Sequence, residues 1–403
     1  MKPEPKVAVI GAGAAGLVAA SFAAAAGSET LLIERTTDGG RKILISGGGR
    51  CNVLPSVLSP ERFITDSPAH LRRGMLRAWP LHEQRRFFEE DLQIPLALEE
   101  ESGKLFPRSN HAKDVRDGLV SFAQSKGVTM RFETTVQDIT PSDGGFVIST
   151  SQGEVRCARL VLATGGLSVP TTGSDGIGFD IVRRLGHEMV DVYPALTPLL
   201  DDSESHAGLA GVSLSVRLRA KIANKVTETF GGFLFTHRGY SGPSVLDLSH
   251  LTARGGRPVI RAQWADRSPA QWEADLTPAD AASVTTIVAR RVPTRLAEHL
   301  AAKSGIPADR RTSSLKRTER IALIEALTSY PLPWSGNEGY KKAEVTGGGV
   351  ALGEVDPKTL GSRRVPGLYL CGEMLDAFGP IGGHNFSWAW ATGRAAGLAA
   401  GRT

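Results

Sequence analysis

Three glycines, Gly11, Gly13 and Gly16, stand in the stretch GAGAAG, directly after the apolar run KVAVI and at the start of an Ala-rich segment. GxGxxG at a strand-to-helix turn is suited to a pyrophosphate. Gly11 makes the tight turn, Gly13 lets backbone approach the phosphates, and Gly16 lets the helix close on its strand. A helix expected over residues 14–26 would present the N–H groups of its first turn, at Ala14 and Ala15, and its positive dipole end to the anion. A second β run, TLLIE, ends at Glu34, 18 residues past Gly16 and close to where an acid reaches ribose hydroxyls. The chemistry implied is binding of an adenine dinucleotide. FAD and NAD share the ADP half, so the motif does not choose between them.

A second set of small residues raises a different chemistry. In KILISGGGRCN, Ser46 and the run Gly47, Gly48, Gly49 precede Arg50, Cys51 and Asn52. If the loop after Glu34 runs along the dinucleotide, these glycines lie where backbone passes a flat ring or its ribityl chain, and a Cβ there would collide. Arg50 and Asn52 can add hydrogen bonds. Cys51 reads as a small residue filling a tight corner, because a redox pair needs a second cysteine nearby and the nearest in sequence is Cys157. Near the C-terminus, GPIGGHNF precedes another helix, and it reads equally as a glycine hinge before a packing helix or as a turn whose N–H groups near Asn385 and Phe386 face negative charge on a ligand.

The rest of the chain must position these residues. At 403 residues, with 41% hydrophobic and 22% charged, it has the composition of a globular protein of two or three domains. The net charge is +5 with no basic block, and no nucleic-acid site is read from it. Cysteine occurs at 51, 157 and 371, without CxxC or a histidine cluster, so neither a disulfide framework nor a metal site is expected. Residues 7–27 are nearly uncharged, yet they are built from Gly and Ala rather than Leu and Phe, and a charged strand end follows. No membrane association is read from them, and a cytoplasmic location is expected.

Helices are expected around 68–92 and over 111–126, with β runs at VTMRF, TTVQDI, GFVIST and EVRCARL, and a buried strand LVLATGG at 160–166. From about 194 the pattern changes to alternating strands, then to an Arg-rich helical stretch. It returns at KKAEVTGGGV and VPGLYLCGE. The fold expected is α/β, with a discontinuous Rossmann-like domain over 1–193 and 341–403, an inserted β-rich domain over 194–268 and a small helical subdomain over 269–340. No second GxGxxG follows a strand.

Four segments together, GRKILISGGGRCN, GGFLFTHRGYSGPSVLDLS, AEVTGGGV and VPGLYLCGEMLDAFGPIGGHNFSWAWATGRAAG, resemble the flavoproteins of the aminoacetone oxidase type, also called the HI0933-like or BaiN-like family. The resemblance runs from residue 6 to about 400 and weakens over 269–330. It implies a two-dinucleotide-type flavoprotein fold holding FAD without covalent linkage. Gly11, Gly13, Gly16 and Glu34 would hold the ADP half, with Arg35, Gly40, Arg41 and Lys42 continuing the loop and Val136 a further cofactor neighbour. Ala163, Thr164 and Gly165 match the second glycine turn. Gly372 and Glu373 match the motif in which an acid meets the ribityl or pyrophosphate portion, and Gly382, Gly383, His384, Asn385 and Phe386 match the turn under the flavin ring.

No triad, zinc spacing or carboxylate pair appears, so the flavin is the expected reactive centre. Thr236, His237, Arg238 and Tyr240 in FTHRGYSGP are candidates for the substrate side, with Ser241 as a cap for a helix starting at Pro243. His237, Tyr240 and His384 are the candidate catalytic groups. Three functions stay open. The first is oxidation of a small primary amine such as aminoacetone by oxygen, giving carbonyl, ammonia and peroxide. The second is NAD(P)H-dependent reduction of a C=C bond in a larger apolar substrate, and the third is a flavin-binding sensor without turnover.

Overall fold

Every residue of β1 (Val7–Ile10) is buried, as a central parallel strand covered on both faces requires. In the computed structural model, which describes residues 5–277 and 282–402, β1 pairs in parallel with β2 (Thr30–Ile33) on one side and Arg159–Leu162 on the other. Thr129–Arg131 extends the sheet beyond β2, and Leu368–Leu370 extends it beyond 159–162, again in parallel. The chain divides into two units, Met1–Pro194 with Glu344–Thr403, and Ala195–Ala343. The dinucleotide sheet thus draws strands from both sides of the second unit's sequence.

Helix α1 (Ala14–Ala25) and the C-terminal helix His384–Gly401 explain the Gly/Ala composition that resembles a membrane segment. A Cβ added to Gly393, Gly397 or Gly401 would overlap backbone of Ala15, Ala19 and Ala23 respectively. Both sets recur every four residues, one per turn, so small residues face small residues along the whole contact and the two backbones lie almost against each other. Among the described residues no helix is long and apolar enough to cross a membrane.

In the second unit, seven strands form one sheet in the order Tyr330–Pro331, Val259–Gln263, Ser213–Ile222, Lys225–Phe235, Gly239–Ser241, Leu199–Leu200, Gly336–Asn337. Its inward residues include Val216, Leu218, Phe233, Phe235, Ile260 and Ala262. Helices Pro269–Leu276, Val284–Ala289, Thr294–Lys303 and Arg317–Thr328 bring Trp272, Leu296, Leu300, Leu323 and Leu327 to the same core. The expected helical subdomain over 269–340, of which residues 278–281 lie outside the described residues, is therefore not a unit of its own. Its amphipathic helices need an apolar surface, and the sheet's inner face supplies it. The expected cap also shifts. Ser241 ends a strand, and Gly242 occupies the N-cap of Pro243–Leu246 without a side-chain hydrogen bond.

Candidate functional site

The glycine loop after β1 is held from two sides. A Cβ on Gly11 would lie 2.5 Å from the Ala163 carbonyl oxygen, and one on Gly16 would overlap Gly11 itself. A Cβ on Gly13 would meet no protein atom within 4 Å. Packing therefore accounts for the first and third glycines and not for the second, which is what a backbone reserved for a phosphate requires. Glu34 latches the loop to β2. One carboxylate oxygen accepts the Ala12 N–H at 2.8 Å, and the other accepts the Thr36 N–H at 2.9 Å and the Thr36 hydroxyl at 2.8 Å. A carboxylate offers about four acceptor positions, so one remains for a ribose hydroxyl.

The loop that follows is braced by ion pairs. Arg35 pairs with Asp175, Arg41 with Asp38 at 2.8 Å, and Arg116 with Asp38 at 2.9 Å. Arg116 also packs where a Cβ on Gly40 would lie. Val136 opens the antiparallel strand Val136–Ser142, a short step after Thr134, whose N–H donates to the Glu34 carbonyl.

Lys42 and Glu373, 331 residues apart, meet at 2.7 Å. Ser168 bonds to both, accepting from Lys42 at 2.8 Å and donating to Glu373 at 2.5 Å. The Thr346 N–H donates to Glu373 at 2.9 Å, while the Thr346 hydroxyl accepts the N–H groups of Leu167 and Ser168. Burial would raise the Glu373 carboxyl, but the Lys42 charge and these hydrogen bonds outweigh it and hold it below the usual range. Glu373 is thus a knot tying four segments. Ser168 and Thr346 gave no signal in the sequence beyond their nearness to glycine turns.

The three glycines at 47–49 have a different basis from the one their sequence suggests. Gly47 and Gly48 sit at φ 56° and 68°, left-handed backbone that favours glycine, and Gly49 follows at 86°. Within the chain a Cβ on Gly48 meets nothing within 4 Å, and one on Gly49 only the Leu44 carbonyl at 4.0 Å. Conformation requires all three, and at Gly47 a Cβ would also lie 2.9 Å from Asn52 Oδ1. Arg50 turns away to Glu99 at 3.0 Å, with its guanidinium 4.0 Å from the centre of the Phe106 ring. The buried Asn52 Oδ1 takes no hydrogen bond from the protein. Cys51 is buried and its thiol is pushed up to about 12 by burial, so it packs rather than reacts.

At the start of the C-terminal helix, Gly383 is the N-cap and no side chain caps the first turn. Asn385 is spent on the loop before it, accepting the Gly379 N–H at 2.8 Å and donating to the Gly379 carbonyl at 3.0 Å. Phe386 stacks on Trp390 with ring centres 5.3 Å apart. His384 is buried beside Phe63, and burial with the Arg62 charge lowers it to about 4. A neutral imidazole cannot stabilise negative charge as a cation near pH 7. Gly372 is tied to this helix by its N–H on the Thr392 hydroxyl at 3.0 Å, and Thr164 reaches Met374.

In the second unit the two remaining candidates part company. Tyr240 is 0% exposed, donates to Asp201 at 2.7 Å and lies 2.7 Å from His206, which also contacts Tyr330 at 2.9 Å. Burial and the Asp201 carboxylate both push its phenol upward, and burial lowers His206 to about 4. This is a satisfied polar core, and it removes Tyr240 from the catalytic set. His237 and Arg238 are exposed at the tip of the hairpin between Lys225–Phe235 and Gly239–Ser241.

The residues present fit an FAD: an open Gly13, an acid with spare acceptor capacity, an orphaned Asn52 oxygen and an uncapped helix start. Fold and site define a dinucleotide-binding flavoprotein. The chain belongs to the HI0933-like family, whose Rossmann-domain model matches residues 5–399, and it is an FAD-dependent oxidoreductase. It is 33% identical over 402 residues, 95% of each chain, to a ribosomal RNA dihydrouridine synthase of Escherichia coli. It is 31% identical over 407 residues, 98% of each, to a 3-dehydro-bile acid delta(4,6)-reductase of Clostridium scindens. Among solved structures, the 3-ketosteroid-delta4-(5alpha)-dehydrogenase of Rhodococcus jostii matches with TM-score 0.54 at 15% identity, covering 100% of this chain and 98% of that one. A flavocytochrome c3 fumarate reductase matches at 0.51 and 19%, covering 99% and 78%; these likenesses concern the fold.

Proposed function

We propose that the protein reduces a C=C bond conjugated to a carbonyl, with NAD(P)H as electron donor. The observation that carries this reading is that two relatives alignable over nearly the whole chain, one named for dihydrouridine and one for a bile acid, share that chemistry. A uracil ring and a 3-oxo steroid both present an alkene whose far carbon accepts hydride because the carbonyl takes up the charge. FAD, when bound, supplies the hydride.

The chain's own residues bind and orient. The Gly13 backbone and the first turn of α1 hold the pyrophosphate, and Glu34 holds the ribose. The Lys42–Glu373–Ser168–Thr346 knot fixes the loops around them. The first N–H groups after Gly383 favour negative charge on the ring, contributing about 0.3–1 kcal/mol or more when buried. His384, neutral, contributes shape rather than charge. Amine oxidation is the second reading, favoured by the single GxGxxG, which leaves no separate nicotinamide domain.

The test is anaerobic. NADPH should bleach the visible flavin band, and a 3-oxo-Δ4 steroid or a uridine-containing RNA should restore it with the saturated product formed. Bleaching by aminoacetone and not by NADPH, with peroxide formed on admitting air, would overturn the reductase reading.

A further inference from the structure

Charge is divided unequally between the two units. Ala195–Ala343 holds 20 Lys and Arg against 14 Asp and Glu, a net of +6, while the remaining residues hold 27 against 28, a net of −1. The whole excess of positive charge in the chain belongs to the second unit. Part of it is laid out on the outer face of the seven-stranded sheet, opposite the face that packs on the helices.

The strand register places that face in three cross-strand rows. Val259, Lys221 and Val226 form the first, Arg261, Arg219 and Glu228 the second, and Gln263, Arg217 and Phe230 the third. Phe230 is 59% exposed, Val226 58% and Val259 55%. The arrangement leaves an aromatic ring and two β-branched side chains in water and sets Arg261, which also donates to the Ser329 carbonyl at 2.8 Å, directly opposite Arg219, where like charges repel. Glu228 answers the second row by pairing with Arg219 at 2.6 Å and with Arg217. The Arg217 guanidinium lies 5.3 Å from the centre of the Phe230 ring. Cations interleaved with an exposed ring on a solvated sheet suit a partner with a regular line of negative charge and flat groups to stack, which is a single-stranded RNA.

Resting on the conjugated C=C reading, we propose that the outer sheet face of residues 213–263 binds the RNA that carries the reducible base, with Phe230 stacking a base and Arg219, Lys221 and Arg261 contacting phosphates. Glu228 then tempers the affinity by competing with phosphate for Arg217 and Arg219.

The experiment uses the full FAD-loaded protein and a fluorescein-labelled oligouridylate, read by anisotropy over a salt titration. Phe230→Ala should weaken binding roughly tenfold at unchanged salt slope. The Arg219→Gln/Arg261→Gln pair should lower the slope of log K against log salt by about 1.4. Glu228→Gln should tighten binding, a gain that no folding defect can produce. Unchanged affinity in Phe230→Ala and Glu228→Gln would overturn the proposal, and so would displacement of the RNA by phosphatidylglycerol vesicles. NADPH-dependent reduction is measured on the same preparations with a steroid enone and with the oligouridylate as acceptors. Its loss, with RNA binding responding as above, would sink the reductase reading and leave the RNA face standing; its persistence without RNA binding would do the reverse.

Discussion

Glycine is used for opposite reasons in two regions of the nucleotide unit. Along the C-terminal helix, Gly393, Gly397 and Gly401 are glycine because protein occupies the place of a Cβ. At Gly13 and Gly48 nothing of the protein occupies it within 4 Å. The first region builds the unit, whereas Gly13 leaves its backbone open and Gly48 is set by its left-handed conformation. Sequence alone makes the two look alike, since both are runs of small residues beside helices, and only the neighbour of the missing Cβ separates them.

The largest break in that comparison should come from Gly397→Leu. Forcing a side chain into the Ala19 backbone should cost about 4 kcal/mol or more, seen as a collapse of the thermal transition by circular dichroism. A variant melting near the wild type would show the helix pair to be looser than described. Next in size is Lys42→Met, which strands Glu373 and should cost about 3 kcal/mol. Adding Glu373→Met should recover part of that loss, and a double variant as unstable as the sum of the singles would disprove the pairing.

Acid should act on both units. His206, His250 and His384 are each held near 4 by burial, below their ordinary 6.5. Between those values the unfolded chain binds protons that the folded chain refuses, so stability falls as pH drops from 6.5 toward 4. Each histidine should cost about 2 kcal/mol at pH 5 relative to pH 7, read from urea midpoints. His384→Gln should remove one share, and an unchanged pH slope would place that imidazole in water.

The smallest stability effects sharpen the contrast. Gly48→Ala should cost about 1 kcal/mol for its left-handed backbone, and Gly13→Val should leave the melting of the FAD-free protein within about 0.5 kcal/mol of wild type. Gly13→Val should nonetheless lose most of its FAD, measured by released flavin per protein. Full flavin content in that variant would refute the placement of the pyrophosphate.

Local patterns made β1, α1, β2 and Glu34 legible, because strand period, glycine spacing and a terminal acid all lie within about thirty residues. The Lys42–Glu373 knot was not legible, since nothing in either segment names a partner 331 residues away. Tyr240 was misread for a related reason. Its turn carries His237 and Arg238, which suggest chemistry, yet in the sheet it pairs with Phe235 and Leu199 and shares their inward face. The helical stretch looked like a subdomain because its apolar stripes were visible and the sheet surface they cover was not.

The pairing of α1 with the helix that ends at Gly401 also sets an order of assembly. Residues 195–343 form a contiguous unit and can close while the chain is still being translated. The nucleotide unit has to wait, because the helix that α1 packs against is made about 370 residues after it, and the strand Leu368–Leu370 completes the sheet only shortly before. Until then the Ala15, Ala19 and Ala23 stripe of α1 has no partner from its own chain, so the nascent protein carries a finished module on an unfinished one. Cofactor capture then follows synthesis of the helix His384–Gly401 rather than that of β1 and α1.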